Sequence, residues 1–260
     1  MAPDPHNVGS PDSSAPLPPA LERQFTSSFD GSGQTFLICQ PPGPARGVLV
    51  YLHGASAHQD QGVAEETYLD SFTFIRRWAA ARGWAYVCPE YRGTSWMNQA
   101  AEADVVQILD MAQDWPPGVR PLLMGGSMGG TSALIFASRH PGRLAGVLAL
   151  CPATDMVRRY QAGMLAQGIR DAYGGTPHEK PATYAERSSI HHVAALAGLP
   201  VCLIHADQDV VIDVSHSRSM ARALEQQGGR VLYVEIPGGH DAPITPQLVG
   251  RGLDWVASAT

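Results

Sequence analysis

One short motif constrains the fold of this chain more than any other feature: a serine among glycines at residues 124–130 (MGGSMGG). Residues 120–124 (RPLLM) predict a short buried strand before it, and residues 131–140 (TSALIFASRH) predict a helix after it. An ordinary Gly-rich turn is the alternative interpretation, but the strand and the helix favour a strained turn that lifts the serine hydroxyl above a sheet. The pattern therefore predicts a nucleophile elbow with Ser127 at its tip.

Two later strands end in residues that would complete a catalytic triad with the serine of this motif. Residues 200–205 (PVCLIH) predict an apolar strand that leads into Asp207 and Asp209. Residues 230–236 (RVLYVEI) predict the next strand, and His240 follows it on a Gly-rich loop. Catalytic groups of open α/β sheets collect at the carboxyl ends of the strands. The order serine, acid, histidine is also the order that such an elbow requires.

Strands and helices alternate along the chain, as they do in a parallel sheet that is covered by helices on both faces. Apolar residues recur at helical spacing in residues 65–82 and 98–114. Residues 215–227 and 246–257 predict the last two helices. The sequence therefore predicts an α/β fold with a mostly parallel central sheet.

Five sequence blocks resemble the α/β-hydrolases, and in particular the compact serine esterases related to the catalytic domain of prolyl oligopeptidases. The resemblance covers about residues 34–258. The blocks are YLHGAS at 51–56, PEYRGTSW at 89–96, MGGSMGG at 124–130, IHADQDVVI at 204–212 and IPGGHDAP at 236–243. The resemblance implies the α/β-hydrolase fold, with Ser127 as nucleophile, Asp209 as triad acid and His240 as general base. The family usually has a glycine where this chain has Ala206, but the acid keeps its usual offset.

Acyl transfer through a serine also needs hydrogen-bond donors for the negative charge that develops on the attacked oxygen. The backbone N–H of Met128, the residue after the serine, is one expected donor, and the loop after an earlier strand supplies the other. Residues 47–52 (GVLVYL) predict that strand, and HGAS at 53–56 is its loop. We expect the second donor of this oxyanion hole to be the N–H of Ala55, with Ser56 as the alternative.

A long segment of about fifty residues, 152–200, separates two of the predicted strands, although a crossover needs only a dozen or so. The resemblance implies a small cap insertion here, at about residues 156–199. Residues 155–170 predict a single helix that carries Tyr160 and Met164 on one stripe. This stripe either packs on a neighbouring helix or roofs the substrate pocket.

Trp96 follows a predicted strand at the catalytic edge of the sheet. It is expected either to form a wall of the substrate pocket or to anchor its loop on the core. Together with the cap stripe, this makes Trp96, Tyr160 and Met164 the candidate pocket residues. A cap this small predicts an open cleft rather than a deep tunnel.

The chain has 260 residues, a net charge of −6 and a sequence pI near 5.9, and its basic residues are scattered. Nucleic acid is therefore not an expected partner. A membrane is not expected either, since no apolar run approaches the roughly 18 residues of a membrane span.

Six prolines in the first 20 residues predict a disordered leader over 1–22, followed by a single domain over 23–260. The four cysteines lack metal-ligand spacing, so we expect buried free thiols in a cytoplasmic protein.

These patterns predict a serine hydrolase that cleaves small to medium carboxylic esters through an acyl-enzyme, with a small-molecule ester as its partner. No cofactor or metal is implied, because a triad and an oxyanion hole suffice for acyl transfer. A peptidase or amidase of the prolyl oligopeptidase type is the alternative that the resemblance leaves open. A non-catalytic ligand-binding protein on this fold is a third class, but it is disfavoured because the serine and the histidine are both present.

Overall fold

The central sheet positions the loops that carry Ser127, Asp209 and His240. The structure is a computed structural model that describes residues 16–64, 71–111, 115 and 118–258. Its strands in these ranges are β1 Ala20–Thr26, β2 Gly33–Cys39, β3 Gly47–Leu52, β4 Trp84–Pro89, β5 Leu122–Gly126, β6 Gly146–Leu150, β7 Val201–Ala206 and β8 Val231–Ile236. They form one sheet in the spatial order β1-β2-β4-β3-β5-β6-β7-β8. β1 pairs antiparallel with β2, and β2 with β4, whereas the other neighbours are parallel.

Helices cover both faces of this sheet. In the described part of the chain they are α1 Ser71–Ala81, α2 Gln99–Met111, α3 Met128–Arg139, α4 Met156–Gln161, α5 Ala166–Tyr173, α6 Pro181–Glu186, α7 Val193–Leu196, α8 Ser215–Gln226 and α9 Pro246–Ser258. The predicted helical residues 65–70 and 112–114 lie outside the described residues. The prediction of an α/β-hydrolase fold with a mostly parallel sheet is confirmed.

Two hydrophobic cores form, one on each face of the sheet. On one face α1 and α9 pack together, with Ile75 and Trp78 against Leu253. On the other face α2, α3 and α8 pack on the sheet. Strands β3, β5, β6 and β7 are buried along their whole length, which explains their continuous apolar sequences. Each large apolar side chain buried in this way stabilises the fold by about 1.5–3 kcal/mol.

The first strand of the sheet corrects the predicted boundary of the leader. Residues 1–15 lie outside the described residues. β1 begins at Ala20 and pairs with β2 from Ala20 opposite Cys39 to Thr26 opposite Gly33, so residues 20–22 belong to the sheet. The strand starts directly after Pro19 because proline has no N–H to donate to a strand ladder.

The cap is also less regular than the predicted single helix over 155–170. It contains two helices there, since α4 ends at Gln161 and α5 begins at Ala166. Gly163 has φ +82° and Leu165 has φ +65°, and this left-handed backbone cannot continue a right-handed helix. Asp155 lies just outside α4 and caps it by accepting the backbone N–H of Arg158. No helix in the described ranges is long and apolar enough to span a membrane.

Candidate active site

The turn between β5 and α3 holds Ser127 in a strained conformation above the sheet. Its backbone has φ 57° and ψ −121°, which is rare for a residue with a side chain. The Ser127 N–H donates to the Leu150 carbonyl at 2.8 Å and so ties the turn to β6. Gly125 and Gly129 meet across the turn, and a Cβ on Gly125 would lie 2.5 Å from the carbonyl carbon of Gly129. Only glycine at these positions allows so tight a crossing.

Three polar side chains from distant parts of the chain meet at this turn. The Oγ of Ser127 lies 2.9 Å from Nε2 of His240. Nδ1 of the same imidazole lies 2.6 Å from Oδ2 of Asp209. The carboxylate is fully buried, whereas the His240 side chain keeps 18% exposure at the cleft. The structure thus brings Ser127, His240 and Asp209 into one hydrogen-bonded series.

Further donors surround the Asp209 carboxylate. Its Oδ1 accepts the backbone N–H groups of Val211 and Ile212, each at 2.8 Å. Its Oδ2 accepts Nε2–H of His205 at 3.1 Å in addition to the bond from His240. Burial would raise the pKa of Asp209, but the bonds from the two histidines and from the Ile212 backbone hold this pKa well below its usual value. The group is therefore an anion at neutral pH.

His205, at the end of β7, also belongs to this hydrogen-bonded group. It is completely buried, and its Nδ1 lies 2.7 Å from the Ser217 hydroxyl on α8. If Nδ1 accepts that hydroxyl, the proton is on Nε2, which faces Asp209 and the Ile212 carbonyl. A histidine at a strand end is the only sequence signal for this role, and histidines occur there for many reasons.

Two backbone N–H groups, those of Met128 and Ala55, are the predicted donors beside Ser127. Met128 is the first residue of α3, and the first N–H groups of a helix lack partners within the helix. In the loop after β3, Gly54 N–H donates to Gln61 and Ser56 N–H donates to Thr94 Oγ1 at 3.0 Å. Among the described residues nothing accepts the N–H of Ala55. Of the two predicted loop donors, Ala55 and not Ser56 therefore has a free N–H.

A cleft of about 310 Å³ opens beside Ser127. Ser127, His240 and Ala55 border it, and Asp241 is the acidic residue at its edge. The apolar part of its wall is formed by Tyr51, Phe72, Leu150, Leu165, Val211 and Ile244. Most of the exposed cleft surface is therefore apolar, which suits a hydrocarbon group next to the reacting bond.

The three candidate pocket residues do not border this cleft. Trp96 is fully buried and anchors its loop beneath the cap, where the Tyr173 hydroxyl donates to its carbonyl at 2.9 Å. Tyr160 packs edge-on against Tyr184 inside the cap. Met164 is 51% exposed and lies outside the cleft wall, and its neighbour Leu165 faces the cleft instead.

Three potential metal ligands lie together behind the site. Cys151, His205 and Asp209 each offer one ligand atom, and these three atoms lie within 4.8 Å of one another. They form the one such cluster in the described ranges. Nε2 of His205 and the carboxylate are already joined by a hydrogen bond. Burial and the nearby Asp209 charge raise the pKa of the Cys151 thiol well above its usual value. A protonated thiol and a donating imidazole are poor metal ligands, so this donor set fits a hydrogen-bond cluster better than a metal.

Several solved structures share the fold of this chain. Acylaminoacyl peptidase of Pyrococcus horikoshii is 15% identical with a TM-score of 0.71, and the match covers 92% of this chain and 41% of that chain. S-formylglutathione hydrolase of Staphylococcus aureus is 16% identical with a TM-score of 0.71, covering 92% and 98%. Fluorophosphonate-binding serine hydrolase F of the same organism is 15% identical with a TM-score of 0.74, covering 93% and 99%. The chain thus spans about two fifths of the peptidase and nearly all of each smaller hydrolase.

The sequence itself matches a family model. No curated protein sequence matches the chain. The model of the prolyl oligopeptidase family, by contrast, matches residues 70–243, which is more than half of the chain and includes the elbow serine, the buried aspartate and the loop histidine. The chain therefore belongs to the prolyl oligopeptidase family.

Proposed function

We propose that the chain hydrolyses carboxylic esters of small to medium size through an acyl-enzyme. The observation that carries this proposal is the hydrogen-bonded series from Ser127 through His240 to Asp209 at the edge of an open apolar cleft. In this proposal Ser127 is the nucleophile, His240 the general base and Asp209 the acid of a catalytic triad.

The first half-reaction forms the acyl-enzyme. Oγ of Ser127 attacks the ester carbonyl carbon while Nε2 of His240 takes its proton, because the two atoms are already 2.9 Å apart. The Asp209 anion holds the imidazole in the tautomer that accepts this proton and stabilises the imidazolium. The N–H groups of Met128 and Ala55 receive the charge on the tetrahedral oxygen. His240 then gives the proton to the leaving alcohol as the carbon–oxygen bond breaks.

The second half-reaction releases the acid. Water enters through the open cleft and loses a proton to His240 as it attacks the acyl carbon. Collapse of the second tetrahedral intermediate breaks the bond to Ser127, whose oxygen recovers the proton from His240. This chemistry uses the described side chains and two backbone N–H groups alone.

A peptidase that acts on aminoacyl substrates is the second candidate. Asp241 is exposed at the edge of the cleft, where its carboxylate suits the ammonium group of an aminoacyl chain. The predominantly apolar wall gives the first candidate the advantage, because an ester needs no charged partner.

The four free thiols, all buried, suit a reducing cytoplasm as the proposed location.

A substrate panel separates the two candidates. We expect p-nitrophenyl esters with acyl chains of about two to six carbons to be turned over faster than longer esters. Each methylene contributes about 0.8 kcal/mol only while it is buried, and the cleft wall is short. Aminoacyl p-nitroanilides should react far more slowly. Higher kcat/KM on the anilides would establish the peptidase, and a preference for long chains would contradict the short cleft.

Two variants test the assigned nucleophile. Ser127→Ala should lower ester turnover by several orders of magnitude without unfolding the protein, since the loss of a triad member leaves about 10³–10⁴-fold catalysis over water. The matched control is Ser138→Ala, because Ser138 lies near the other end of α3 and its hydroxyl donates to the Ile135 carbonyl within that helix. A fluorophosphonate probe should label Ser127, as determined by mass spectrometry. Labelling at another serine would overturn the assignment.

A further inference from the structure

The side chain of Gln61 is bonded to the loop that carries the Ala55 N–H. Gln61 lies in the short 3₁₀ helix Gln59–Val63 and borders the cleft. Its Oε1 accepts the backbone N–H of Gly54 at 2.8 Å and the hydroxyl of Tyr51 at 3.0 Å. Because a backbone N–H can only donate, the oxygen is the end of the amide that faces the loop.

Ala55 therefore lies between two anchored neighbours. On one side the Gly54 N–H is held by the glutamine oxygen, and on the other the Ser56 N–H donates to Thr94 Oγ1 at 3.0 Å. The carbonyl of Gly54 belongs to the same peptide unit as the Ala55 N–H, and it accepts the Ala57 N–H at 3.3 Å. The direction of the Ala55 N–H is thus set by bonds on all sides of it.

This loop needs such bonds to keep its shape. Ser56 has φ +61°, a conformation that residues with side chains adopt infrequently. A donor for a developing oxyanion is effective only when it is in place before the charge forms, because reorientation during the reaction costs free energy. Loss of the Gln61 acceptor would leave the Gly54 N–H unpaired and would free the peptide next to it.

We propose that Gln61 is a positioning residue that acts through Gly54 to hold the Ala55 N–H in place as an oxyanion donor. The inference rests on the proposed ester hydrolysis at Ser127. Ground-state binding of an ester depends on the apolar wall, whereas the oxyanion exists only in the tetrahedral states. The contribution of Gln61 therefore belongs to kcat rather than to KM.

The test replaces the acceptor by apolar side chains of similar length. Gln61→Leu and Gln61→Met should each lower kcat on p-nitrophenyl butyrate by about 10–100-fold, with KM within about threefold. Outright removal of an oxyanion donor costs about 10²–10³-fold, and a misplaced donor should cost less. The matched control is Gln59→Leu, because Gln59 lies in the same 3₁₀ helix but its amide bonds to Glu22 on β1. This control should keep the wild-type kcat.

A tetrahedral inhibitor gives a readout that a purely structural role would not move. In both Gln61 variants, the inhibition constant of an alkyl trifluoromethyl ketone should rise by the same factor by which kcat/KM falls. The melting temperatures of both variants should stay near that of the wild type. Unchanged kcat, or a rise in KM at constant kcat, would overturn the positioning role. Turnover that survives Ser127→Ala would instead overturn the proposed function, so the two failures are distinguishable.

Discussion

At the scale of single residues, two aspartates at the end of β7 lie in different environments. Asp209 is buried and accepts four hydrogen bonds, two from histidines and two from backbone N–H groups. Asp207 is exposed, and its Oδ1 accepts the N–H of Gly238 at 3.1 Å. One carboxylate therefore faces the imidazole, and the other ties together the two loops that carry Asp209 and His240.

Kinetics of two matched variants should separate these roles. We expect Asp209→Asn to lower kcat by about 10⁴-fold with little change in KM, because an amide favours the wrong imidazole tautomer and cannot stabilise the imidazolium. Asp207→Asn should lower kcat less than about tenfold, since an amide oxygen still accepts the Gly238 N–H. Reversed results would make Asp207 the acid of the triad.

The meeting of the three residues of the proposed triad could be predicted from the sequence, but the residues that border the cleft could not. Ser127, Asp209 and His240 each follow a recognisable strand, so the order of strands along the chain was enough to bring them to one edge. Leu165 borders the cleft because the backbone turns left-handed there, and no periodicity signals that turn. Gln61 is a loop residue whose partner is a backbone N–H, and such bonds leave no pattern in the sequence.

At the scale of elements, a buried ion cluster fastens the cap to the domain. Arg187, just after α6, is fully buried and donates to Glu102 on α2 at 2.5 Å. Glu102 also accepts Arg139 and His140 from the end of α3, each at 2.7 Å. Burial would raise the pKa of Glu102, but its bond from His140, the Arg187 charge and the bond from Arg139 lower it to about 2. One carboxylate thus joins the cap to two helices of the domain.

Removal of the Glu102 charge should lower the free energy of unfolding more than removal of an exposed carboxylate charge does. Glu102→Gln leaves the buried Arg187 cation without its anion, so we expect the free energy of unfolding to fall by about 3–5 kcal/mol. The control is Asp110→Asn, which breaks the exposed pair with Arg143 and should cost less than about 1 kcal/mol. Urea denaturation at neutral pH measures both values. Equal costs would mean that the cluster does not stabilise the cap.

At the scale of the whole molecule, a buried histidine makes the fold sensitive to mild acid. His216 lies on α8 under the cap, and its Nδ1 accepts the N–H of Thr154 at 3.1 Å. Burial and the nearby Arg158 charge lower the pKa of His216 to about 3. Because this pKa is below that of an unfolded histidine, about 6.5, the unfolded chain binds a proton first as the pH falls. From His216 alone, we expect the free energy of unfolding to be constant above pH 6.5 and to decline as the pH falls from 6.5 toward about 3.

The slope of stability against pH tests this linkage. Between pH 6.5 and 4.5, the wild type should lose free energy of unfolding by up to about 1.4 kcal/mol per pH unit from this one group. His216→Gln should remove that part of the slope, while the exposed His178→Gln should leave it unchanged. Chemical denaturation across the pH series provides the measurement. An identical slope in the wild type and the His216 variant would assign the acid sensitivity to other groups.

The close packing at the elbow also limits which substitutions this turn tolerates. A Cβ on Gly129 would overlap the Leu52 carbonyl oxygen, and Gly125 is equally crowded, so neither position admits any other residue. Gly126 differs, because a Cβ there would meet Ile244 at 3.7 Å and Leu150 at 3.9 Å, which is ordinary contact at the cleft wall. Among these three glycines, Gly126 is therefore the position that accepts a side chain, and each carbon added there would narrow the cleft beside Ser127.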